Sequence, residues 1–162
     1  MEVRRVTSQE WEALRDVRLR ALADAPDAFG TTHAEAVSRP DEWWRDWAAR
    51  SAETDTQAMV LAWDGDDPAG IAGVFATDDG AWQVISMWVG PGARGRGVGR
   101  ALLDAVVAWA REHDSDRTIR LSVADGNDDA RSLYERYGFV DSGVAEPLRS
   151  NSALTVRELE LR

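Results

Sequence analysis

The sequence predicts an α/β fold of the α+β kind: a mixed, mostly antiparallel six- to seven-stranded sheet with helices on both faces. Three observations carry that expectation. Three apolar runs in mid-chain are separated by hairpin-type turns, the apolar period lengthens to that of a helix from Gly97, and a strand-helix-strand order closes the chain. The 162 residues suit one domain spanning 1–162, with no repeats, linkers or low-complexity segments.

Glu2 to Thr7 alternates like a short edge strand. Ser8, followed by Trp11, Leu14, Val17 and Leu22, marks a capped amphipathic helix that Asp24-Ala25-Pro26-Asp27 ends. Phe29-Gly30-Thr31-Thr32 is loop, and Asp41 to Ala52, after Pro40, is a second helix carrying Trp43, Trp44 and Trp47. Gln57 to Trp63, Ala69 to Thr77 and Ala81 to Val89 form an antiparallel meander through Asp64-Gly65-Asp66-Asp67 and Asp78-Asp79-Gly80. The third run is apolar on both faces, as a covered central strand is. Val98, Leu102, Ala105, Val106 and Trp109 share a helical stripe that ends near His113, a residue suited to the dipole there. Thr118 to Val123 alternates as a strand. Asn127 to Tyr137 is a helix stopped by Gly138, whose missing Cβ suits a C-terminal turn. Phe139 to Val144 and Ala153 to Leu161 are the closing strands.

Composition narrows the chemistry. With no cysteine, disulfides, thiolate metal sites and a cysteine nucleophile are excluded. Only His33 and His113 are imidazoles, and no spaced ligand set suggests a metal. A net charge of −10 argues against nucleic acid and against an anionic membrane surface, and mildly favours a cationic small molecule. No apolar run approaches the roughly 20 residues of a spanning helix, and none follows Met1-Glu2-Val3-Arg4-Arg5 as a secretory signal would, so a cytoplasmic setting is expected. All 19 basic residues are arginine.

The most informative segment runs from Val89 to Arg100, between the third meander strand and the long helix. Gly95, Gly97 and Gly99 alternate there, so successive backbone N–H groups converge without Cβ obstruction at the positive end of a helix dipole. Arg94, Arg96 and Arg100 add full charges suited to phosphate oxygens. A Walker loop needs lysine, which the chain lacks, and the dinucleotide fingerprint needs a different third spacing after a parallel strand.

Arg94-Gly95-Arg96-Gly97-Val98-Gly99 resembles the coenzyme-binding motif of the GNAT superfamily of acetyl-CoA-dependent N-acetyltransferases, and Asn127, Ala130, Leu133, Tyr134, Gly138 and Phe139 follow a second motif of that superfamily. The resemblance extends over essentially the whole chain and implies a GNAT-like fold. It also implies direct transfer of an acetyl group from acetyl-CoA, as co-substrate, to a primary amine, for which a small-molecule acceptor is expected. The main chain of Met87, Trp88 and Val89 would align the pantetheine arm, Gly95, Arg96, Gly97, Val98, Gly99 and Arg100 would hold the diphosphate with Arg94 beside them, and Asn127 would contact the arm. Tyr134 would be the general acid for the departing thiolate, since a phenol holds its proton at neutral pH. Members are often dimers, so a homodimer belongs to the expectation. From the residues alone, Asn127 reads first as a helix cap, and Tyr134 reads also as a packing residue, with Tyr137 in the core.

A general base is harder to read. Gln83 and Ser122 stand where the superfamily often has glutamate, which leaves Glu35, Asp27, Asp79 or His33, or a water chain. The same departure leaves room for a non-catalytic acetyl-CoA-binding regulatory module, and a protein N-terminus or lysine is an alternative acceptor. Trp43 and Trp47 are one turn apart, either burying aromatic surface or offering a wall for an ammonium group.

Overall fold

In a computed structural model that describes residues 1–161, seven strands make one sheet: β1 (Glu2–Arg5), β2 (Gln57–Asp64), β3 (Asp67–Ala76), β4 (Ala81–Val89), β5 (Thr118–Ala124), β6 (Phe139–Leu148) and β7 (Asn151–Leu161). Their order is β1-β2-β3-β4-β5-β7-β6. Every adjacent pair is antiparallel except β4 and β5, so the sheet is mixed. Helices α1 (Trp11–Asp24), α2 (His33–Val37) and α3 (Asp41–Glu53) join one apolar core, and α4 (Val98–His113) and α5 (Asp128–Tyr137) join the other. Among the described residues no helix is long and apolar enough to cross a membrane.

The helix that covers the sheet centre follows the predicted stripe. Leu102, Leu103, Val106 and Ala110 of α4 are fully buried, each large aliphatic side chain contributing about 1.5–3 kcal/mol. A Cβ on Gly99 would meet Leu133 Cδ2 at 3.1 Å, so the absent side chain is what lets α4 approach α5. On the opposite face Trp44 is buried and meets Trp43 edge-on at 4.8 Å.

Two helix starts differ from the sequence reading. Thr7, rather than Ser8, begins the first helical turn, and its amide donates to Glu10 Oε1 at 2.9 Å before α1 opens at Trp11. Helix α2 is too short for periodicity to reveal, yet Thr32 and Glu35 cap it reciprocally. Glu35 N donates to Thr32 Oγ1 at 3.1 Å and Thr32 N to Glu35 Oε1 at 3.3 Å.

Strand β4 changes phase midway. Ile71 pairs with Trp88 and Gly73 with Ile85, so Ser86 and Met87 together oppose Ala72 in a bulge. Before it Gln83 and Ile85 face the α1 side; after it Trp88 does, while Met87 and Val89 pack with α4. Ser86, with φ 61°, is the one non-glycine residue of positive φ among those described.

Candidate functional site

Pairing between β4 and β5 covers only Ala81–Thr118, Trp82–Ile119 and Gln83–Arg120. Beyond Gln83 the parallel strands part, leaving β4 without a sheet partner on that side. The opening is a cleft of about 50 Å³ whose walls include Phe29, Ser86, Met87, Ser122, Asn127 and Tyr134. The turn after β6 fixes its roof: Ser150 Oγ donates to the Phe29 carbonyl at 2.5 Å, and Arg149 Nη1 to that of Gly30 at 2.8 Å.

At the end of β4 the chain enters the glycine loop. Gly95 and Gly97 take φ of 75° and 77°, a region that favours glycine, and Gly97 stands at the start of α4. Nothing of the protein lies within 4 Å of a Cβ built on either. Among the described residues, no carbonyl or side chain accepts from the amides of Gly95, Arg96, Gly97, Val98, Gly99 or Arg100; the first paired amide of α4 is Ala101, which donates to Gly97. This row of unmatched donors at a helix N-terminus fits an anion such as a diphosphate.

The loop arginines divide. Arg94 is held on the α1 side, its Nε donating to the Val89 carbonyl at 3.0 Å and its Nη2 to Asp24 Oδ2 at 2.6 Å. Trp88 Nε1 shares the same carboxylate oxygen at 2.9 Å, and these two hydrogen bonds, Trp88's first, keep Asp24 below the usual carboxylate range. Arg96 and Arg100 are exposed, with looser partners in Asp64 at 3.8 Å and Asp104 at 3.5 Å. Arg100 also lies over the Tyr137 ring.

Asn127 and Tyr134 face the cleft from α5 and the turn before it. Asn127 occupies the cap position, but its side chain caps nothing, which leaves its amide available to the cleft. Tyr134 is buried against Phe139, and burial alone raises its phenol well above the ordinary value. Tyr137 packs partly buried beside the core and outside the cleft lining, as read from the sequence.

The base candidates do not gather. Glu35 is clamped by Arg149 at 2.9 Å through both oxygens, and that contact first, with the Thr32 amide next, brings it down to about 2. Asp79 is lowered by the Thr77 hydroxyl and by Arg120, which also donates to Gln83. Asp27 and His33 are absent from the cleft wall, as is every other carboxylate and imidazole among the described residues. Sequence reasoning missed Glu158, which register sets directly across from Ser122, but it too is held, by Ser142 Oγ donating at 2.6 Å and by Arg120 Nε at 3.6 Å. The alternation of Glu158 and Glu160 along β7 was the available signal. The tryptophan wall is already taken: the Arg39 guanidinium lies 3.9 Å from the Trp43 ring centroid. His113 stacks on Trp109 at the end of α4, Nδ1 lying 2.8 Å from the Trp109 carbonyl.

Known proteins resemble this chain in sequence or in fold. Mycothiol acetyltransferase from Beutenbergia cavernae is 31% identical over 140 residues, covering 85% of this chain and 44% of the relative, and that from Cellulomonas flavigena is 32% identical, covering 86% and 40%. The chain thus spans less than half the length of these two relatives. A GNAT-family acetyltransferase structure from Streptococcus pneumoniae superposes with a TM-score of 0.84 at 19% identity, over 98% of this chain and 96% of the other. The Salmonella typhimurium protein yncA, solved with its cofactor acetyl-CoA, gives 0.79 at 17% identity, over 100% and 93%. The model of the acetyltransferase (GNAT) family matches residues 12–139, from the first helix through the glycine loop and α5 to the first residue of β6, and the chain belongs to that family.

Proposed function

We propose that this chain is an acetyl-CoA-dependent N-acetyltransferase whose acceptor is the primary amine of a small molecule. The observation that carries the reading is the row of unpaired amides from Gly95 to Arg100 opening beside a cleft whose one titratable wall residue is Tyr134. The relatives' name, mycothiol acetyltransferase, refers to a small molecule and favours such an acceptor over a protein N-terminus or lysine. The reading takes residues 1–162 as one catalytic domain, in the cytoplasm where acetyl-CoA is available, with a homodimer as its expected assembly.

The donor set fits the co-substrate. Gly95, Arg96, Gly97, Val98, Gly99 and Arg100 would hold the diphosphate through main-chain N–H groups, and the exposed Arg96 and Arg100 side chains can swing to its oxygens. Arg94 serves from behind, tying the loop to α1 through Asp24. The free edge of β4 at Met87, Trp88 and Val89 offers main-chain groups to the extended arm, and Asn127 offers its side-chain amide. Acetyl-CoA supplies the thioester. Tyr134 keeps its proton at neutral pH because burial disfavours the phenolate, and holds it for the sulfur that leaves. The amine loses its proton to water on the open side of the cleft beside Ser122, since the lining holds no carboxylate or imidazole.

The test is release of free thiol from acetyl-CoA by pure protein across polyamines, aminoglycosides, amino acids and peptides. Release with a small amine, matched by the N-acetylated product, is expected. Coenzyme binding without release would make the chain a sensor instead.

A further inference from the structure

Arg18, on the inner side of α1, is an unusual cation. Its Nη1 donates to Ser86 Oγ at 2.8 Å, and its Cζ stands 4.9 Å from the centroid of the Phe29 ring. Ser86 and Phe29 are both walls of the cleft. That hydroxyl is its one hydrogen-bond partner among the described residues, although a guanidinium carries several N–H donors. Among the described residues no carboxylate forms an ion pair with it. Its one charged neighbour is another cation, Arg39, and burial first, then Arg39, lowers Arg18 to about 10, so it stays charged at neutral pH.

A purely structural arginine in this protein looks different. Arg5, also lowered by burial, donates to the carbonyls of Ser51, Thr54 and Gln57. Arg18 has no such set. In a chain of net charge −10 with acids to spare, a partly buried guanidinium left unneutralised is costly unless something else supplies the anion. Its partner Ser86 sits on the β4 bulge with the one positive non-glycine φ among the described residues, the kind of local strain that collects at binding sites.

Resting on the acetyltransferase reading above, we propose that Arg18 binds a carboxylate of the acyl acceptor, so that the acceptor is an amine bearing a carboxylate, of the amino-acid class. The carboxylate would take the remaining N–H groups of Arg18, with Ser86 beside it, and the amine would point along the cleft toward Tyr134. This reverses the preference for cationic acceptors that net charge alone suggests.

Thiol release is measured for a set of amino acids and for the carboxamide of each, with wild type and Arg18→Met. The acid of the best pair should exceed its carboxamide by about 10- to 100-fold in kcat/KM, and Arg18→Met should remove most of that factor while leaving the carboxamide within about threefold, the size of a lost charge-assisted hydrogen bond. Carboxamides used as well as acids by the wild type, a comparison that needs no variant, would overturn the proposal and leave the acetyltransferase reading intact. So would a variant that loses both substrates alike. If no amine in the set releases thiol, the N-acetyl derivatives of the same amino acids and their carboxamides are titrated calorimetrically into the CoA-loaded protein. Binding confined to the carboxylates then supports the Arg18 site and no such binding overturns it, while the acetyltransferase reading itself is decided by the wider amine panel.

Discussion

Arg94 Nη2 lies 2.6 Å from Asp24 Oδ2, joining the glycine loop to the last residue of α1. Trp88 donates to the same oxygen, so one carboxylate fixes the end of β4, the loop and the helix together. Asp24→Ala leaves both donors without that acceptor. Because the pair is partly exposed, the expected loss is only about 1 kcal/mol, or roughly 2–4 °C in Tm. Acetyl-CoA affinity should fall with it. Thermal denaturation and calorimetry check this, and an unchanged affinity would show that the loop holds its shape without the clasp.

Gly97 stands at φ 77°, and alanine there should cost about 1–2 kcal/mol of backbone strain and weaken acetyl-CoA binding severalfold by turning the amides out of line. Gly92 in the same loop has ordinary φ and equally open space, so Gly92→Ala is the control that should bind normally. Similar affinities for the two variants would remove the amide row from the site.

Tyr134→Phe should lower kcat by about 100-fold or more while the acetyl-CoA Kd stays within about a factor of two. Equal loss of both would speak against the acid role. The phenol also reports on alkaline stability. Its folded pKa is raised above its ordinary value of 10.0, so its contribution is complete below pH 10 and is lost as pH rises through the folded value. Chemical denaturation above pH 10 should therefore weaken the wild type faster than Tyr134→Phe.

Glu35 and Arg149 clip α2 to the turn between β6 and β7, the turn that also holds the Phe29 loop. The Glu35 carboxyl is lowered from 4.5 to about 2, so its contribution is present above pH 4.5 and is lost as pH falls toward 2. Urea midpoints of wild type and Arg149→Ala should differ at neutral pH and converge over that interval. A difference independent of pH would mean that the hydrogen bond from Arg149 to Gly30 carries the effect.

Much of the protein is determined by its sequence alone. Apolar period set the meander and α4, the alternate glycines marked the loop of unpaired amides, and the spacing of Asn127, Ala130 and Tyr134 put them on one helical face. Even α2, which periodicity passed over, was announced by Thr32 and Glu35 three positions apart. These signals are local: each depends on neighbours within a turn or a strand. Only the tertiary structure decided where β4 and β5 part, because Ile85 and Leu121 read as strand whether or not they pair. It also decided that Glu35 and Asp79 are held by arginines distant in the chain and stand outside the cleft wall. The Ser86 bulge and its meeting with Arg18, 68 positions away, belong to the same class. Such contacts arise when long-range packing selects partners, and no period in the sequence encodes which distant charge a side chain will face.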